Sequence, residues 1–250
     1  MTSGIVARLR DAGCVFAEDE ARLLVAAAHD AAHLESLVTR RVAGVPLEPL
    51  IGWVEFCGLH IAIDPGVFVP RRRTQFLAAA AARLARPGAV VVDLCCGAGA
   101  VGAALLAGEP SLELYACDID RTAVRCARRN LAGRVYEGDL FAALPDRLRG
   151  RADVLVANAP YVPTAEIAMM PPEARDHEPA VALDGGRDGV DVHRRIAAEA
   201  PRWLAPTGHL LVETSRRQAD VTAQAMRRAG LTTRIEHDDE VDATVVIGTA

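Results

Sequence analysis

At Asn158-Ala159-Pro160-Tyr161 a side-chain amide carbonyl and a backbone carbonyl stand one residue apart, at the end of an apolar run, residues 152–157, that reads as a strand. Two acceptor oxygens at that spacing can hold both N–H groups of an amide or exocyclic amine. They fix its nitrogen for in-line attack and favour a pyramidal nitrogen with a less delocalised lone pair. Tyr161 then packs against the planar group. The alternative is that the tetrapeptide is only a turn, since Asn and Pro favour turns.

The surroundings add a ligand. The strongest strand, Ala89–Leu94, runs into Asp93-Leu94-Cys95-Cys96-Gly97-Ala98-Gly99-Ala100-Val101-Gly102. That is a Gly-x-Gly turn where a strand of an open α/β sheet delivers the chain to a helix N-terminus, the place where nucleotides bind. Asp118, followed by Ile119, ends the next strand, where a carboxylate can accept from both hydroxyls of a ribose. Asp139-Leu140 ends the third, with a carboxylate for an adenine amino group and an apolar face for its ring. The simpler role for Asp139 is to cap a helix over 140–148. A dinucleotide would use the same turn and acid. Against it stand a third glycine that only comes near the register at Gly102, no second nucleotide-binding half, and Asp93, which would repel a pyrophosphate but suits a cation. The ligand implied is a positively charged sulfonium nucleoside. Methyl transfer from it needs alignment more than acid or base chemistry, and alignment can supply up to roughly 7–11 kcal/mol.

These residues need a scaffold. Residues 5–43 carry apolar residues at helical spacing, and residues 53–63 read as a hairpin broken at Cys57-Gly58. Thr74 is expected to cap a helix over 75–86. Strands over 112–117, near 135, and over 152–157 and 209–213 alternate with helices over 121–131, 140–148, 190–204 and 219–229, and extended segments at 231–236 and 243–248 finish the sheet. The alternation predicts an α/β fold, a parallel sheet with helices on both faces. The loop over 160–189 is long enough to expect a functional role.

Composition sets the limits. The chain has 250 residues, about half of them apolar, a formal charge of −5, and arginine for every one of its 28 basic residues. No chain-wide attraction to polyanions follows. Its six cysteines show neither paired CxxC steps nor metal-knuckle spacing, so reduced thiols and no metal are expected. Cys95 and Cys96 at a helix N-terminus should have lowered thiol pKa values, though their main use is to be small beside a ligand. No apolar run is long enough for a signal sequence or membrane span, and a cytoplasmic enzyme without membrane contacts is expected. His177 and Glu178 read as residues that order their loop. Arg71, Arg72 and Arg73 read as a solvated edge.

The tetrapeptide resembles the Asn-Pro-Pro-Tyr signature of amino-methyltransferases. Further stretches resemble one family in particular, the protein-(glutamine-N5) methyltransferases that modify peptide chain release factors. They are Arg41 to Leu47, Gly52 to Leu59, Val67 to Thr74, the glycine turn, Arg175 to Pro179 and Ala182 to Gly189. The resemblance implies a class I S-adenosylmethionine-dependent methyltransferase with a Rossmann-like seven-stranded sheet. It implies a helical substrate-docking region over 1–45, a linking β-hairpin over 46–73 and a catalytic domain over 74–250. The substrate implied is a glutamine side chain in a Gly-Gly-Gln loop. Carried over, Asp93, Cys95, Cys96, Gly97, Ala98 and Gly99 hold the methionine part, Asp118 and Ile119 the ribose, and Asp139 and Leu140 the adenine. Phe68, Pro70 and Arg71 line the cofactor pocket from the hairpin side. Asn158, Ala159, Pro160 and Tyr161 hold the glutamine, with Asn158 also bordering the cofactor. The chain departs from the family where Ala159 replaces a proline that would restrain Asn158, where Arg72, Arg73 and Gln75 replace Pro, an acid and Glu, where Cys95-Cys96 replaces Gly-Thr, and in a shorter N-terminal region. Two other readings stay open: an amino-methyltransferase acting on flipped nucleic-acid bases, disfavoured by the acidic charge, and a cofactor-binding relative that has lost turnover.

Overall fold

The computed structural model describes residues 2–250; Met1, the first residue of the expected docking region, lies outside the described residues. Four helices come first, α1 (Thr2–Asp11), α2 (Ala17–Ala27), α3 (Ala31–Val42) and α4 (Leu47–Ile51). Their apolar residues, among them Leu9, Leu24, Leu37 and Val38, close into a cluster of their own. Asp30 caps α3 by accepting from the His33 N–H at 2.7 Å. Gly52, in the left-handed region at φ 85°, ends α4 and turns the chain into the hairpin β1 (Trp53–Phe56) and β2 (Leu59–Ala62). Asn130 fastens that hairpin beside the glycine turn. Its Oδ1 accepts from the Ala62 N–H at 2.9 Å, and its Nδ2 donates to the carbonyls of Ala62 and Ala98 at 2.9 and 2.8 Å.

The main sheet has seven strands in the order β5-β4-β3-β6-β7-β9-β8. They are β3 (Val90–Leu94), β4 (Glu113–Asp118), β5 (Val135–Glu137), β6 (Ala152–Ala157), β7 (Leu204–Glu213), β8 (Thr232–Asp238) and β9 (Ala243–Thr249). Alternate residues of each strand face opposite layers. Val91, Ala116, Val154 and Leu211 pack under α5 (Thr74–Ala82), α6 (Ala100–Gly108) and α7 (Arg121–Asn130), and Val92, Leu155, Leu210 and Val246 pack under α10 (Asp191–Glu199) and α11 (Ala219–Arg228). From β3 the chain moves outward to β4 and β5, then returns to place β6 on the other side of β3. The carboxyl ends of β3 and β6 therefore flank the point where strand order reverses, the natural crevice for a ligand.

The structure corrects four expectations. The sheet is not parallel throughout, because β9 runs antiparallel to both β7 and β8. Residues 140–148 form two 3-10 turns, 140–143 and 146–148, because Leu144 is held extended before Pro145. The 160–189 segment is not open loop. It holds a 3-10 turn over 164–169 and the short helices α8 (Pro172–His177) and α9 (Ala180–Leu183). Thr74 does not cap α5: it lies within the first turn with its side chain turned inward, 3% exposed. No described helix is long and apolar enough to cross a membrane.

Candidate active site

A cavity of about 430 Å³ opens at the carboxyl ends of β3, β4 and β6, a size suited to a nucleoside-sized ligand. Its floor is the turn after β3. Gly97 and Gly99 sit at φ 54° and 80°, where other residues are strained, and Gly99 leads into α6. A Cβ on Gly102 would stand 2.9 Å from Leu114 Cδ2, so this glycine lets α6 close onto the sheet. Gly102 thus does the packing of a third fingerprint glycine, and its register does not count against a dinucleotide as the sequence reading had it. The N–H of Gly102 donates to Asp93 Oδ2 at 3.0 Å, and Asp93 is 2% exposed beneath the turn. Burial pushes its carboxyl up to about 7. Asp93 therefore braces the turn and does not line the cavity.

Asp118 does line it. Its Oδ2 accepts from the Gly97 N–H at 2.8 Å and its Oδ1 from the Asp120 N–H at 2.9 Å, which fixes the carboxylate at the cavity wall. Burial raises its pKa, partly offset by those backbone N–H groups. Asp139 also lines the cavity. Its side chain makes no helix-capping bond and instead accepts from an Arg195 N–H at 2.6 Å. Leu140 beside it is held at φ 48°, and Cys95 across the cavity at φ 55°, both conformations that β-carbons disfavour. Burial pushes the Cys95 and Cys96 thiols well above the ordinary range, which reverses the expected lowering.

At the other end stand Asn158, Ala159, Pro160 and Tyr161. Asn158 Nδ2 donates to Thr74 Oγ1 at 3.2 Å, which leaves Oδ1 as the side-chain atom free to accept. Ala159 is 1% exposed, and its backbone lies beside the buried ring of His193. His193 Nδ1 bonds to the Thr222 hydroxyl at 3.0 Å, and burial lowers the imidazole to about 4. Tyr161 is pushed up to about 12 by burial and by the charge of Glu213.

The segment after Tyr161 is clamped on both sides. The Val162 N–H donates to the Leu183 carbonyl at 3.0 Å, and the Gly185 N–H to the Val162 carbonyl at 2.9 Å. Gln218 Nε2 donates to the carbonyls of Tyr161 and Asp188 at 2.8 and 3.0 Å, and the Ser215 hydroxyl orients that amide by donating to its Oε1. A Cβ on Gly185 would stand 2.5 Å from the Gly189 carbonyl oxygen and 2.7 Å from Tyr161 Cα, both backbone. Gly185→Ala must therefore move the tetrapeptide. We expect it to cost about 2 kcal/mol by overpacking and to lower kcat as well, measured by thermal unfolding and turnover. Wild-type turnover in that variant would show that this clamp does not set the position of Asn158.

Among the residues expected to bind cofactor, the cavity gathers Phe68, Arg71, Cys95, Gly97, Asp118, Ile119, Asp139, Leu140 and Asn158. Pro70, Asp93, Cys96, Ala98 and Gly99 are not among its lining residues; the last four shape the turn from behind or below. Arg71 is not a solvated edge. Its guanidinium donates to both oxygens of Glu178 at 2.7 Å, while the Val69 N–H donates to Glu178 Oε1 at 3.1 Å. Glu178 thus orders its loop as expected, and His177 is exposed at the end of α8. Several lining residues carry no site role in the sequence analysis: Arg73, which is therefore not a solvated edge, Met170, Val192, Arg195 and the stretch Pro179–Asp184. Among the described residues no group of three metal-ligating side chains occurs, and all six cysteines are unpaired.

Comparison with known proteins places this geometry in a family. The family described as "Methyltransferase small domain" matches residues 58–170. A release factor glutamine methyltransferase from Geobacter sulfurreducens is 38% identical over 199 residues, covering 78% of this chain and 69% of that one. The protein of the same name from Streptomyces coelicolor is 37% identical over 228 residues, covering 82% of this chain and 80% of that one. Among solved structures, a methyltransferase from Pyrococcus furiosus superposes with a TM-score of 0.58 at 17% identity, covering 77% of this chain and 89% of that one, which supports the fold. With the glycine turn, the acidic strand ends and Asn158-Ala159-Pro160-Tyr161 around one cavity, this chain belongs to the release factor glutamine methyltransferase family of methyl-transferring enzymes.

Proposed function

We propose that this chain transfers a methyl group from S-adenosylmethionine to the side-chain amide nitrogen of a glutamine in a peptide chain release factor. The observation that carries the reading is the orientation of Asn158. Its Nδ2 is committed to Thr74, so Oδ1 is left to accept from an incoming NH2 group beside the nucleoside cavity. The carbonyl of Ala159, with a second lone pair available, takes the other N–H. The residues fit the cofactor: Asp118 keeps lone pairs for ribose hydroxyls after accepting from Gly97 and Asp120, Leu140 and Ile119 give apolar faces, and Gly97 brings backbone close without a side chain. When bound, the sulfonium supplies the electrophilic methyl carbon and a good leaving group. Asn158 and Ala159 orient the nitrogen toward it, and Tyr161, Pro160 and Leu183 exclude water from its far side.

A second cavity, of about 570 Å³, reaches from Pro46 and Glu48 to Met170 and Glu173 and shares Arg71, Arg73 and Met170 with the first. It supports a protein chain as substrate, laid between the linker (46–73), just past the helical region (1–45), and the catalytic domain (74–250). Incubation with labelled S-adenosylmethionine and a release factor bearing a Gly-Gly-Gln loop should place one methyl group on that glutamine, read by peptide mass spectrometry. Label appearing on DNA or RNA instead, or on nothing, would overturn this reading.

A further inference from the structure

Behind Asn158 lies a carboxylate that the proposed chemistry does not use. Glu213 ends β7, the strand beside β6, and its side chain is 2% exposed. Neither of its oxygens has a partner in hydrogen-bonding geometry, an uncommon state for a buried acceptor. The hydroxyls of Thr74 and Tyr161 lie against it, and Arg73 Nε, itself buried and unpartnered, stands 3.7 Å from Oε1. Across the sheet its partner on β9 is Val245, which carries no charge. The groups that face Glu213 are therefore one guanidinium and two hydroxyls.

Thr74 joins this carboxylate to Asn158. Its oxygen accepts from Asn158 Nδ2, so its single proton is free to turn toward Glu213, which when ionised can only accept. Once an ionised Glu213 takes that proton the chain has one sense: amide N–H to hydroxyl, hydroxyl to carboxylate. A protonated Glu213 can reverse it by donating to Thr74, whose proton then turns to the amide oxygen and rotates Asn158. A rotated Asn158 would present NH2 to NH2.

We propose that Glu213 is a positioning residue whose carboxylate, acting through the Thr74 hydroxyl, keeps Asn158 Oδ1 rather than its NH2 facing the acceptor nitrogen. This rests on the proposed function, which seats that nitrogen at Asn158. Burial pushes the Glu213 carboxyl up to about 7, with Thr74, Arg73 and Tyr161 working in the other direction. Ionisation sets the working orientation, so kcat should rise as pH passes upward through that value. Asp93 is also raised to about 7. It braces the cofactor turn, however, and saturating cofactor removes its influence from kcat.

The test is kcat against pH between about 5.5 and 9, with release factor as acceptor and saturating S-adenosylmethionine. The wild-type chain should show an acid limb with a midpoint near 7. Glu213→Gln, which keeps shape, should lose the limb and turn over about tenfold more slowly at high pH, with the cofactor KM unchanged. Thr74→Val should match it, and Thr74→Ser should restore most of the rate. A wild-type chain that methylates no glutamine overturns the proposed function and this inference with it. An active wild type beside a Glu213→Gln variant of equal kcat and unchanged limb overturns this inference alone, as does a Thr74→Ser variant no better than Thr74→Val.

Discussion

Asn158→Ala is expected to lower kcat for methyl transfer by about 10²–10³, the cost of losing one fixed hydrogen-bonding partner at a reacting group, while cofactor affinity stays near normal. The two effects separate because the cavity has two ends. Asn158 stands with Pro160 and Tyr161 where the acceptor enters, whereas Asp118, Ile119 and Leu140 line the nucleoside end. Removing the amide takes away the oxygen that orients the acceptor and leaves the Thr74 hydroxyl without the donor now 3.2 Å away. An acceptor held by the Ala159 carbonyl alone can rotate about one hydrogen bond, and most of its orientations miss the methyl carbon. Single-turnover rates with saturating cofactor, beside calorimetric titration of the cofactor, measure both quantities. A variant with normal single-turnover rate and weak cofactor binding would mean that the two ends have been assigned the wrong way round.

The sequence made the strand ends legible and the supports for them much less so. Strands β3, β4 and β6 are short, mostly apolar runs that lead into the Gly97 turn, Asp118 and Asn158, and such endings are local enough to read directly. The partners that fix those residues come from elsewhere in the chain. Thr74 lies 84 residues from Asn158, Gln218 lies 57 from Tyr161, and Arg71 lies 107 from Glu178. No periodicity encodes such pairings. Thr74 misled because a hydroxyl before a helical run usually caps it, and here the turn over Arg71–Arg73 begins the helix first and sends the side chain inward. Asp93 misled in another way: a carboxylate just before the turn looks aimed at the ligand, but strand alternation carries it beneath the turn, onto the Gly102 N–H.

Ala159 illustrates how a missing local restraint can be replaced at a distance. Without a proline there, the backbone of Asn158 keeps freedom that its neighbours must remove. Pro160 still limits Ala159 itself, Ala159 is packed to 1% exposure, and Gln218, Leu183 and Gly185 fix the two residues that follow Pro160. The glycines at 185 and 189 are required because that clamp brings backbone onto backbone. The structure therefore gives no ground for reading the alanine as a mark of lost turnover.

Asp118→Ala should weaken S-adenosylmethionine binding about 100-fold with little direct effect on the acceptor end. Hydrogen bonds to a charged acceptor are worth roughly 1.5–3 kcal/mol each, and tenfold in affinity is about 1.4 kcal/mol, so losing the bonds to one ribose suffices. The carboxylate also holds the turn itself, through the Gly97 and Asp120 N–H groups at 2.8 and 2.9 Å. Its removal leaves the Gly97 N–H unsatisfied at the cavity floor, which adds to the loss. Because burial raises the Asp118 pKa, the wild-type chain should begin to lose cofactor affinity on acidification at a higher pH than an exposed aspartate would require. The alanine variant should lose that part of the pH dependence, because no carboxylate remains to protonate. Cofactor titrations of both chains across the acid range measure these outcomes together. Equal affinity in the two would place the ribose away from Asp118 and shift the nucleoside to another part of the cavity.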